Sequence, residues 1–219
     1  MLRSASKNGL ILAGFAVVTT ALIGLTYVFT KDTIAQQKQT LLRNTIEQVM
    51  PASYYSNDIA QSCLLVFDPV LHASEPQRIY QARNEGQATG YVVETTAPNG
   101  YSGNIHLLMG VLLDGTVTGV RVLDHKETPG LGDKIDLRIS DWILSFSGKR
   151  VTDETADAWE VKKDGGQFDQ FTGATITPRA VVNQVERTVL TVRSNVQQWL
   201  LSGQTCDSKP DENMQEPQA

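Results

Sequence analysis

From Gly9 to Phe29 the chain reads GLILAGFAVVTTALIGLTYVF, an apolar run without a charged side chain. As a helix rising 1.5 Å per residue it is about 30 Å long, the thickness of a bilayer's hydrocarbon core. Two other readings compete. A cleaved signal peptide has a shorter apolar region that ends in small residues, whereas this run ends in Thr26-Tyr27-Val28-Phe29. A buried soluble helix normally shows a polar face, and only scattered Thr interrupts this one. A retained, single-pass anchor over 9–29 is expected, behind a short tail, 1–8.

Beyond the anchor the periodicity changes. Ile34, Leu41, Leu42, Ile46 and Val49 recur among Gln, Lys and Arg, a helical pattern that Pro51 stops. The stretch 52–77 is mixed, with a short apolar run at Leu64–Phe67 broken by Asp68-Pro69. Tyr91–Thr95, Ile105–Leu113 and Thr116–Leu123 are rich in β-branched and apolar residues, as strands are. Asp114-Gly115 between the last two signals a tight hairpin turn. Asp141–Phe146 is a short apolar stretch of either type. From Pro178 to Leu201, Val181, Val185, Val189, Val192, Val196 and Trp199 recur every three or four residues, which gives a helix with one buried face. Thr177 suits its cap, Pro178 its first position, and Gly203 lies just past its end. The polar tail 203–219 is expected to be disordered. The expected fold is α+β: one transmembrane helix, an exported segment over 30–89, and a domain over 90–202 in which an antiparallel sheet packs on the C-terminal helix.

Composition narrows the function. A net charge of −5 with dispersed Lys and Arg argues against a nucleic-acid binder. Two cysteines and three histidines, without CxxC spacing, are too few for a zinc or iron–sulfur site of the usual type. Arg3 and Lys7 before the anchor are balanced by Lys31, Lys38 and Arg43 after it, so the positive-inside rule is nearly neutral. An anchor near the N-terminus followed by a long domain still fits N-in, with the rest exported. In an oxidising compartment Cys63 and Cys206 would either pair or remain as two thiols.

Two segments carry chemistry. Asp169-Gln170-Phe171-Thr172-Gly173-Ala174-Thr175 matches the D-x-x-[ST]-G-A-T pattern of the FMN-binding domain family, whose members include the G subunit of Rnf (or Rsx) electron-transport complexes and the C subunit of sodium-pumping NADH:quinone reductases. His125-Lys126-Glu127-Thr128-Pro129-Gly130-Leu131-Gly132 resembles the family's H-x-E-T-P-G-L-G loop, and the two motifs stand in the right order. The resemblance spans roughly residues 90–200 and implies FMN, joined by a phosphoester to Thr175 and installed by a flavin transferase that uses FAD. It also implies that Glu127, Thr128 and Leu131 line the flavin pocket, with Leu131 against the ring, and that Asp169 presents the hydroxyl or binds the transferase's metal. Physical chemistry is compatible. Gly173 and Ala174 lack bulk, so a phosphate and a modifying enzyme can come close. A helix start also favours an anion. Read without the family, however, Thr172 and Thr177 offer hydroxyls similar to that of Thr175, and Asp169 suits a turn equally well.

The resemblance thus implies a redox subunit of an inner-membrane, ion-translocating complex, with the flavin domain on the periplasmic side and the other subunits as partners. No stand-alone enzyme is expected, and no G-x-G-x-x-G fingerprint for a nicotinamide cofactor is present. The compact chain leans toward the Rnf type. The rivals are a C subunit of the sodium pump and a non-redox, membrane-anchored scaffold.

Overall fold

The computed structural model describes residues 2–152 and 154–206. Two compact units divide between Arg43 and Asn44. In the first, helix α1 (Leu2–Val49) contains Asn8–Lys31, whose mean hydropathy of 2.1 and length suffice to cross a membrane; among the described residues no other helix qualifies. Its apolar side chains, Leu12, Phe15 and Leu22 among them, are exposed, as lipid-facing residues would be.

The second unit is built on one antiparallel sheet. Its strands are β1 (Cys63–Val66), β2 (Gln77–Asn84), β3 (Gln87–Gly100), β4 (Gly103–Leu112), β5 (Val117–Asp124) and β6 (Gln204–Thr205), in the order β5-β4-β3-β2-β1-β6. Helix α2 (Ile176–Ser202) covers one face. Alternation along β4 sends Ile105, Leu107, Met109 and Val111 into the core with Tyr91, Val93 and Ala97 of β3. Val181, Val185 and Val189 of α2 are fully buried with them. Burial of each such valine stabilises by about 1.5–3 kcal/mol, so packing, more than helix propensity, holds α2 in place. Polar groups within this interface are paired. Gln184 Nε2 donates to the Val70 carbonyl at 2.6 Å and to Thr95 Oγ1 at 2.7 Å, and Thr95 Oγ1 lies 2.9 Å from Thr188 Oγ1.

The opposite face receives the chain as it enters the unit. Ile46, Val49 and Met50 are buried there. A Cβ on Gly110 would lie 2.3 Å from the Val49 carbonyl oxygen, and one on Gly119 would lie 2.9 Å from Val49 Cα. These two glycines are cross-strand partners, so bare backbone on β4 and β5 makes the seat. The Thr118 hydroxyl donates to the Val49 carbonyl, and Arg121 Nε donates to Gln48 Oε1 at 2.9 Å.

Several expectations change. Strands β1 and β2 lie in a stretch with no clear strand pattern, because β2 (QRIYQARN) is polar in sequence although Ile79, Tyr80 and Ala82 are buried. Strand β4 stops at Leu112 and β5 starts at Val117, so a four-residue loop closes that hairpin, with the Thr116 N–H held by the Asp114 carboxylate. The stretch Asp141–Phe146 forms a 3₁₀ helix. Most consequential, α2 begins at Ile176, so its N-cap is Thr175; Thr177 lies inside the first turn, and Pro178 is the third helical residue. At the other end the tail is not wholly free. Gln204 and Thr205 pair with β1, and Cys206 is joined to Cys63 by a disulfide. The remainder of the tail, 207–219, lies outside the described residues.

Candidate functional site at the start of helix α2

The loop after β5 is folded around one carbonyl. Thr128 O accepts from the N–H groups of Leu131 and Gly132, each at 3.1 Å. This turn sends two side chains in opposite directions. Leu131 points outward and is 43% exposed, whereas Glu127 points inward and is 4% exposed. Thr128 itself is half-buried, and His125 Nδ1 accepts from the Glu127 N–H at 3.1 Å. Next in the chain, Asp136 is held below the ordinary carboxylate range, chiefly by hydrogen bonds from Arg138.

The second motif is pinned by aromatic residues. Phe168 and Phe171 turn into the core, where Phe168 stacks on Phe146 at 4.6 Å and Phe171 meets the edge of Trp142 at 5.2 Å. Trp142 Nε1 donates to the Asp169 carbonyl at 2.7 Å. The Asp169 carboxylate is left at the surface and pairs with Lys162 Nζ at 2.5 Å. From Phe171 the chain reverses, with Ala174 N–H donating to Phe171 O at 3.1 Å and Gly173 at φ +79°, a conformation that favours glycine. A Cβ built on Gly173 would sit 3.8 Å from Leu131 Cδ2, so the fold brings the two motifs together at this turn.

Three hydroxyls distant by only a few residues have different surroundings. Thr172 is exposed on the turn. Thr175 is half-buried at the N-cap, yet its side chain makes no capping hydrogen bond. Thr177 is 1% exposed and donates to Glu127 Oε2. The expectation that Thr177 caps the helix therefore fails, because its hydroxyl is already spent inside the protein. Just beyond, Arg179 forms a two-pronged pair with Asp164 at 2.6 and 2.9 Å, which draws the Asp164 carboxyl below its ordinary range and raises the guanidinium. That pair was not readable from spacing, since 15 residues separate the partners.

Of the residues singled out from sequence, Thr172, Gly173, Ala174 and Thr175 line the turn and the helix start, and Leu131 stands beside them. Asp169 lies at the surface before the turn, Thr128 contributes its carbonyl to the loop, and Glu127 lies beneath. The site suits a phosphate-linked group. It offers a hydroxyl free of a capping bond, a small-residue approach, and first-turn N–H groups that no α-helix can pair internally.

Comparison with known proteins agrees with this layout. The FMN-binding domain family matches residues 100–189, and the RnfG N-terminal region matches residues 1–49. The chain is 52% identical over 209 residues to the G subunit of the ion-translocating oxidoreductase complex from a Vibrio cholerae serotype O1 strain, a match that covers 95% of this chain and 100% of the relative. It is 51% identical to the protein of the same name from Pseudoalteromonas atlantica, over 93% of this chain and 95% of that one. The Shewanella amazonensis protein of that name is 48% identical over 95% of this chain and 97% of its own. With an RnfG-type N-terminal region joined to an FMN-binding domain, the chain belongs to the family of G subunits of ion-translocating oxidoreductase complexes.

Proposed function

We propose that this chain is the electron-carrying G subunit of an Rnf-type, ion-translocating oxidoreductase, with FMN held on Thr175 by a phosphoester. The observation that carries the attachment site is the contrast among the three threonines. Only Thr175 combines partial exposure with a place at the helix mouth and a side chain free of a capping bond. An alkyl hydroxyl is a weak nucleophile without an activating base, so a separate flavin transferase is part of the proposal. In the transfer, the Thr175 oxygen forms a bond to the phosphorus of the FMN half of FAD. The pyrophosphate bridge breaks, AMP leaves, and the hydroxyl proton is lost to the transferase or water.

The remaining residues have supporting parts. Thr172, Gly173 and Ala174 keep the approach open. Asp169, exposed beside Lys162, is available to present the hydroxyl or to hold the transferase's metal. Leu131 and Thr128 border the turn and offer an apolar and a polar contact to the flavin. Bound FMN supplies the redox chemistry, accepting and releasing electrons; the protein holds and insulates it. The disulfide favours an oxidising, periplasmic location for the flavin domain, with residues 1–8 on the cytoplasmic side. The relatives' names favour the other subunits of such a complex as partners, over a C subunit of the sodium pump.

The test is co-expression of the full chain with the transferase, followed by a denaturing gel under ultraviolet light and mass measurement of the peptide containing Thr175. A fluorescent band that disappears in Thr175→Ala is expected. A dark band in correctly matured protein would support an anchored scaffold instead, and fluorescence retained by Thr175→Ala would move the attachment elsewhere.

A further inference from the structure

A threonine at an N-cap normally turns its oxygen back onto the N–H of the second or third helical residue, and loss of such a cap typically costs about 1 kcal/mol. Thr175 makes no such bond, although its helix is 27 residues long and well packed. Something else must hold the first turn. The residue in contact with it is Glu127, from the loop after β5. Its carboxylate is 4% exposed and accepts from Thr177 Oγ1, from the Ser102 N–H at 2.9 Å and from the Tyr101 N–H at 3.3 Å. Three segments therefore converge on one anion: the β3–β4 turn, the 125–132 loop and the start of α2.

The surroundings are shaped to this contact. A Cβ on Gly132 would lie 2.8 Å from Thr177 Oγ1 and 2.9 Å from Glu127 Oε2, so no other residue fits there without displacing the pair. A carboxylate suits the place because the helix start is electropositive and the two N–H groups of the β3–β4 turn need an acceptor. Burial of so polar a group is tolerated only when its bonds are made, and three are.

We propose that Glu127 is a positioning residue for the modification of Thr175: it anchors the first turn of α2 through Thr177 and so leaves the Thr175 hydroxyl uncommitted for the incoming phosphorus. The inference rests on the reading that Thr175 carries the flavin. It assigns Glu127 no contact with the flavin ring. Its effect travels through Thr177, two residues from the acceptor oxygen.

The experiment measures the initial rate of flavin incorporation into purified, full-length, unmodified chain by the transferase with FAD, well below the melting temperature. Thr177→Val, which removes the donor while keeping the shape, should slow incorporation about tenfold, in line with the sensitivity of reaction rates to small misplacements. Glu127→Ala should slow it at least as much, and Glu127→Gln, which still has an acceptor oxygen and an N–H for Thr177 Oγ1, should recover most of the rate. The double variant Glu127→Ala/Thr177→Val should be no slower than the slower single, since both break one contact. Amide exchange over 172–180 in the unmodified chain should quicken in Thr177→Val. Val189→Ala, a distant core change, controls for lost stability and should leave the rate unaltered. If Glu127→Ala fails to fold, Thr177→Val decides alone. Incorporation by Thr177→Val at the parent rate, or slowed no more than in Val189→Ala, overturns the proposal. Fluorescence retained by Thr175→Ala would instead overturn the attachment reading, so the two failures are distinguishable.

Discussion

The two ends of helix α2 are fastened in opposite ways. At the C-terminal end Trp199 is 6% exposed, Gly203 N–H donates to the Trp199 carbonyl at 2.7 Å, and the chain then pairs with β1 and is joined covalently at Cys63. At the N-terminal end no side chain of the helix's own cap is engaged, and the hold comes from Glu127, 50 residues before its partner Thr177. The closed end stabilises, and the open end presents a hydroxyl. A helix that must offer its first turn to a modifying enzyme gains from being held firmly elsewhere, since lost order at one end is then not transmitted through the rest.

Substitutions at each end sharpen the contrast. The largest effect is expected at the open end and concerns chemistry alone. Thr175→Ala should lose all covalent flavin, while its melting temperature stays close to the parent's, because the side chain makes no capping bond. At the closed end the effect should be the reverse. Cys206→Ser removes a cross-link between residues 143 apart and should cost about 2–4 kcal/mol, or roughly 5–15 °C in melting temperature, with flavin incorporation unchanged below that temperature. Midway along the helix, Val189→Ala should cost about 1–3 kcal/mol by leaving a small void, again without altering incorporation.

The smallest effect lies on the far face of the sheet. Glu94 is raised above its ordinary value of 4.5, chiefly by burial and despite the nearby Arg78. The folded state therefore holds this proton more tightly than the unfolded state does. The stability it contributes is present below about pH 4.5 and is lost as pH rises through the raised value. Thermal melts of the parent and of Glu94→Gln between pH 4 and 7 should diverge in the variant's favour as pH increases. Parallel curves would count against the burial.

What could be read from residues alone follows the same division. The anchor, strands β3 to β5 and the valine face of α2 have strong periodicity, because each buries one consistent set of side chains. Strand β2 was obscured by Gln77, Arg78, Gln81 and Arg83, which alternate with or flank buried Ile79, Tyr80 and Ala82. Both motifs were visible, but not the difference among their threonines. Thr177 looked like a cap because it precedes Pro178, and nothing local records that a glutamate 50 residues away accepts its proton. The pairing of Cys63 with Cys206 was one of two possibilities, decided by the short strand that brings the tail alongside β1. Long-range partners were the unreadable part.

The bond between Cys63 and Cys206 makes a closed ring of chain, and every residue of both motifs lies inside it. A protease that cuts once anywhere between those cysteines therefore opens a loop without releasing a fragment. Such nicked protein should migrate as one yellow species until a thiol reagent is added, and only then should the colour follow the piece that contains position 175.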